Sequence, residues 1–151
     1  MTNNDASNWV QNQWLARCSG GVYFYSDGAM TTGVHLVAGA GSWSSVSDRN
    51  LKENFAPVDG AKILNILASI PIQTWNYKTQ DKSIRHIGPM AQDFAKFGVG
   101  EDDKSITTLD ADGVALAAIQ ELYRQNQEIL KRNEELKKEI EELEQEIEKL
   151  K

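Results

Sequence analysis

A serine and a lysine stand five positions apart in the segment Ser47-Asp48-Arg49-Asn50-Leu51-Lys52. A serine hydroxyl attacks a carbonyl well only when a base takes its proton, and a lysine is that base only when neutral. Bringing a lysine from about 10.4 to about 7 corresponds to roughly 4 to 5 kcal/mol, which calls for burial or a neighbouring positive charge. Arg49 is such a charge, but burial must supply most of the effect, so an exposed lysine would be inert. Geometry makes a second demand. In a strand, residues five apart face opposite ways at about 16 Å, and on a helix they are about 140° out of phase. The backbone must bend between Ser47 and Lys52, or the two must meet across subunits. Alone the spacing is weak, because polar linkers with a solvated lysine produce it by chance.

Ring size selects the bond that such a hydroxyl would break. Attack by Ser47 Oγ on the preceding carbonyl of Val46 closes a five-membered ring, whereas attack on its own carbonyl needs a strained four-membered one. If such a hydroxyl cut its own chain, the break would fall between Val46 and Ser47. Attack from a neighbouring subunit relaxes that preference.

The elements around this segment are marked by glycine and proline. Gly20, Gly21, Gly28, Gly33, Gly39 and Gly41 crowd a stretch without proline, and Pro57, Pro71 and Pro89 all come later. Residues 1–19 are rich in Asn and Gln and read as a loose lead-in, with Trp9 and Trp14 as their large anchors. Val22 to Tyr25 and Gly33 to Val37 read as short strands around the turn Ser26-Asp27-Gly28. An isolated hairpin is marginal in water, so its apolar faces are expected to meet other chains. From Asp59, a plausible cap, Ile63, Leu64, Leu67 and Ile70 follow helical spacing up to Pro71. Residues 72–78 alternate as a strand does. Residues 89–97 read as a helix with proline in its first turn and Gly98 past its end, and residues 105–109 as one more strand.

The last third carries heptads. With Ile119, Asn126, Asn133, Ile140 and Ile147 at position a, Leu122, Ile129, Leu136, Leu143 and Leu150 fall at d, which is the pattern of a coiled coil. Asp110 or Asp112 is the expected cap of one helix from about residue 112 to the end. Ile at a with Leu at d favours a parallel dimer, yet Glu139 would face Glu144 and Arg132 would face Lys137, so the residues leave the strand number open. From about residue 132 the stretch is regular enough to be an idealised zipper joined to a natural domain.

Composition bounds the rest. The chain has 151 residues, enough for one domain or two small modules, and a net charge of -6. That charge argues against nucleic acid and anionic membranes as partners. Cys18, the single cysteine, can form no internal disulfide and offers no zinc cluster. Asp110-Ala111-Asp112-Gly113 lacks the remaining ligands of a calcium loop, so capping is the better account and no metal or cofactor is expected.

Four ordered stretches, SDRNLKENF (47–55), TWNYK (74–78), RHIGPMAQDF (85–94) and DADGVALAAIQEL (110–122), carry a resemblance. Together they resemble the carboxy-terminal intramolecular chaperone domain of phage endosialidase tailspikes. Other phage tail fibres, bacterial tail-fibre-like proteins and the myelin regulatory factor of animals share that domain. The resemblance implies a trimer joined through carboxy-terminal helices, which templates the β-rich stalk before it and then cuts itself off with a serine and lysine dyad. By position it makes Ser47 the nucleophile and Lys52 the base, with Asp48 and Arg49 orienting the loop. His86, inside RHIGPMAQ, is a supporting candidate, although a histidine packed for structure is commoner; His35 reads as structural.

The expected fold is α+β: the end of a β stalk over 1–46, a chaperone core over 47–111 and a coiled coil over 112–151, assembled as a homotrimer. The partners are then two further copies and the upstream stalk, in a virion tail fibre or in the host cytoplasm during assembly. The alternative is a structural trimeric fibre tip that does not cleave and binds a surface receptor. An enzyme for external substrates fits least, because no second set of acid, base or metal-binding residues converges.

Overall fold

A computed structural model describes residues 11–151, so the expectation for Trp9 lies outside the described residues. The chain forms two compact units, one ending at Phe55 and one running from Ala56 to Lys151. It is a mixed α+β protein with a long carboxy-terminal helix.

The first unit is built on an antiparallel three-stranded meander of β1 (Gly21–Tyr25), β2 (Gly33–Val37) and β3 (Ser44–Ser45). The first two strands follow the β-prone runs. The third was not anticipated, because two serines give no alternation to read. Between β1 and β2 the carboxylate of Asp27 organises the loop. It accepts from the amides of Thr32 (2.7 Å), Thr31 (2.9 Å) and Ala29 (3.2 Å) and from the Thr31 hydroxyl (2.8 Å). These bonds, the Thr32 amide foremost, hold its pKa below the ordinary value. Alternation puts Tyr23 against Tyr25 and His35 on one face, with ring centroids 6.1 and 5.2 Å apart, and Phe24 against Trp43 on the other at 5.6 Å. Both faces stay open on the single chain, with Tyr23, Phe24 and Trp43 about half exposed. Trp14 is exposed as well, so it anchors no core in this unit.

In the second unit Asp59 caps α1 (Gly60–Ser69) as expected, its Oδ1 accepting from the Lys62 amide at 3.0 Å, and the helix closes at Ile70 ahead of Pro71. Strand β4 (Gln73–Trp75) is shorter than the expected 72–78, and it pairs antiparallel with β5 (His86–Gly88). The expected helix over 89–97 is a single turn, α2 (Ala91–Phe94), running into a 3-10 turn at Ala95–Phe97. Pro89 lies before its cap residue Met90 rather than in its first turn, and Gly98 ends it in the left-handed region at φ 72°.

No strand forms over 105–109. Ser105 is turned toward Asp102, its amide and hydroxyl both donating to Oδ1 at 2.8 Å, and α3 (Thr108–Lys149) starts three residues later. The cap is Thr107, not Asp110 or Asp112: its Oγ1 accepts from the Asp110 amide at 3.0 Å and donates to Asp110 Oδ2 at 2.7 Å. The 42 residues of α3 span about 63 Å.

The core lies where α1 packs on α3. Ile70, Phe94, Phe97 and Val114 are buried together, with Ile63, Ile66, Leu67, Ile106 and Ala111 around them. Ala118 and Glu121 complete the buried face of α3. The Glu121 carboxylate is held by Arg124 at 2.6 and 2.9 Å and by Gln125 at 2.8 Å. The hydrogen bonds from Arg124, then that from Gln125, bring its pKa down to about 2. Gly60 lets the start of α1 come this close, since a Cβ there would stand 3.0 Å from Glu121 Cβ. The apolar a and d residues of the heptads, from Ile119 and Leu122 to Ile147, all stand exposed. No described helix is long and apolar enough to cross a membrane.

Candidate active site

The segment that leaves β3 is held on both sides of the Val46-Ser47 bond. Upstream, the Val46 amide donates to the Gly33 carbonyl at 3.0 Å. Downstream, Asp48 caps a 3-10 turn, Arg49–Leu51, by accepting from the Asn50 amide at 2.9 Å and from Asn50 Nδ2 at 3.0 Å. The Leu51 amide donates to the Asp48 carbonyl and the Lys52 amide to the Arg49 carbonyl, both at 3.2 Å. A tight turn of this kind is the bend that neither strand nor helix could supply.

The consequence is a direct contact: Lys52 Nζ donates to Ser47 Oγ at 2.7 Å. With the ammonium deprotonated, the same geometry lets the hydroxyl donate instead, which is the arrangement of a nucleophile and its base. Beyond Lys52, Asn54 takes a left-handed backbone at φ 57°, and the Arg49 guanidinium sits 4.6 Å above the Phe55 ring. Ser47 and Lys52 are both exposed on the single chain, so the burial that arms a lysine is not supplied by one chain alone.

Asp48 thus caps the turn that Arg49 begins. His86 keeps other company in the second unit. Its Nε2 lies 2.9 Å from Gln80 Oε1, and its ring packs on Trp75 at 4.7 Å and Tyr77 at 5.6 Å. His35 stacks on Tyr23 within the sheet.

Residues 47–99 match the family described as the chaperone of endosialidase. The resemblance drawn from the motifs is borne out over that stretch, which opens on Ser47 and includes TWNYK and RHIGPMAQDF. Searches of curated proteins and of solved structures gave no match. The chaperone segment begins in the first compact unit and ends in the second, so its opening loop lies with the strands.

Four residues at this loop were not singled out from sequence: Gly33, Asn50, Asn54 and Phe55. Asn50 had a legible signal, since Asp-x-Asn is a common Asx-turn arrangement. The other three act through backbone shape or through a partner distant in sequence, which residue type alone does not announce.

Proposed function

We propose that the chain is a trimerising intramolecular chaperone of a phage-type tail fibre or tailspike, and that it releases itself by one autoproteolytic cut between Val46 and Ser47. The contact between Lys52 Nζ and Ser47 Oγ, at the first residue of the chaperone segment, carries this reading. Neutral Lys52 takes the hydroxyl proton as Ser47 Oγ bonds to the Val46 carbonyl carbon. The proton passes to the departing Ser47 nitrogen as the Val46-Ser47 amide breaks, leaving an ester on Oγ and a free amino group. One water then hydrolyses the ester, giving a carboxylate on Val46 and restoring the hydroxyl.

The exposed a and d residues of α3 support assembly through that helix, and three chains are the number the family resemblance implies. Assembly would supply the desolvation that one chain lacks, so unassembled chains stay uncut and the cut marks a properly built fibre. The released stalk, its template gone, is then kinetically trapped. Site of action is the host cytoplasm during assembly, or the virion tail.

Mass spectrometry of the assembled protein is the test. The expected products end at Val46 and begin at Ser47. Ser47→Ala, which removes the attacking oxygen, abolishes the cut, and Lys52→Arg, which keeps the charge but offers no base, slows it by about 10² to 10⁴-fold, while the native mass of both stays that of a trimer. The exposure of Lys52 favours a second reading, an uncleaved receptor-binding fibre tip, and a chain that stays whole after assembly would establish that one instead.

A further inference from the structure

We propose that β2 positions the scissile peptide, with the Gly33 carbonyl anchoring the Val46 amide, so that the cut waits for the sheet to fold. The inference rests on the self-cleaving function proposed above and adds a positioning residue and a folding requirement within the stalk piece itself.

The register of β2 and β3 pairs His35 with Ser44 and Val34 with Ser45. One step further, Val46 stands opposite Gly33, and its amide donates to the Gly33 carbonyl at 3.0 Å. The residue that supplies the scissile carbonyl is therefore a continuation of the ladder. Only one torsion, φ of Val46, separates the anchored amide from the carbon that Ser47 Oγ must reach, and ψ sets which way its carbonyl faces. On the other side the nucleophile is fixed by Lys52 Nζ at 2.7 Å and by the turn that Asp48 caps. Holding a reacting pair from both sides in this way is how positioning lowers a barrier.

Gly33 also ties this anchor to the rest of the sheet. A Cβ at position 33 would lie 2.1 Å from the Phe24 carbonyl oxygen and 2.9 Å from Tyr25 Cα, so β1 backs β2 at the point where β2 holds Val46. While the strands are unpaired, Val46 has no anchor and the carbonyl samples many orientations. Folding of β1 to β3 is thus a condition for cutting at the bond that releases those strands.

Two measurements on the full chain test this. In the uncut Ser47→Ala protein, hydrogen exchange at the Val46 amide should be as slow as at the amides of β2. Fast exchange at Val46 beside slow exchange in β2 overturns the anchor. In the second, Val46 is replaced by its α-hydroxy acid, which turns the amide between residues 45 and 46 into an ester. That change deletes the donor and leaves the side chain, the scissile bond and the dyad intact. Cleavage should slow by about tenfold, the size of one lost hydrogen bond felt at the reacting group. The factor should hold at every pH, leaving the inflection of the rate profile where the parent has it. A parent that cuts through Ser47 beside an ester variant equally fast sinks the anchor alone. A parent that never cuts, or a Ser47→Ala chain that still does, removes the dyad and this inference with it.

Discussion

A lysine that donates to a serine hydroxyl is one proton away from accepting from it. At Ser47 and Lys52 the chain meets the demand for proximity, 2.7 Å, within a single turn. Proximity depends on Asp48, whose carboxylate holds the Asn50 amide and side chain. Asp48→Ala should therefore loosen the turn by about 1 kcal/mol, the usual worth of such a cap, and slow self-cleavage about fivefold. Asp48→Asn keeps an oxygen to accept the Asn50 amide, and should cut at nearly the parent rate. Timed denaturing electrophoresis of both variants decides the matter, since equal losses would assign the effect to the negative charge rather than to the cap. Residue types, order and the family resemblance together singled out Ser47 and Lys52, the pair that the fold brings to 2.7 Å. They could not mark Gly33 or Phe55, because those roles belong to a strand register and a ring contact that exist only after folding.

The elements that were legible are those whose signal repeats. Helix α1 has a capping aspartate, an apolar stripe and a closing proline, and α3 has heptads sustained over its length. Strands β3 and β5, of two and three residues, are shorter than the pattern needed to see them. The run over 105–109 holds the β-branched Ile106, Thr107 and Thr108, but Asp102 takes the Ser105 amide for a loop and Thr107 caps α3 through the Asp110 amide. The face of α3 that Gly60 of α1 approaches carries a charge as well as apolar surface, and the partners of that charge, Arg124 and Gln125, stand on α3 itself. Glu121 is 7% exposed, and its pKa of about 2 lies below the ordinary 4.5. A depressed carboxylate contributes stability that is fully present above the unfolded value and is lost as pH falls from about 4.5 toward 2. Relative to Glu121→Gln, the parent should melt higher near neutrality, and the difference should shrink across that acid range. Calorimetry of both proteins from pH 6 to about pH 2.5 checks this; a gap that does not change with pH would mean that Glu121 acts by shape and not by charge.

Across the whole molecule, what is most exposed is what assembly would cover. Tyr23, Phe24 and Trp43 leave the sheet open on both faces, and the a and d residues of α3 leave an apolar seam along its length. The charges beside that seam are engaged along their own helix, Arg132 with Glu135 at 3.4 Å and with Glu139 at 3.8 Å, and Lys151 with Glu148 at 2.9 Å. They solubilise the helix more than they would choose a partner, so any assembly through α3 would rest on its leucines and isoleucines. Placing lysine at two d positions, Leu136→Lys with Leu143→Lys, alters neither unit's buried core nor the loop of Ser47 and Lys52. Burying those added charges in a seam would cost several kcal/mol per ion, so if the chain assembles as proposed, its native mass should fall from that of a trimer to that of a single chain. If assembly is what dries the Lys52 amine, the same variant should lose self-cleavage although its dyad residues are untouched. Single chains that cut as fast as the parent would show that the loop arms itself, and would separate the chaperone's assembly from its release.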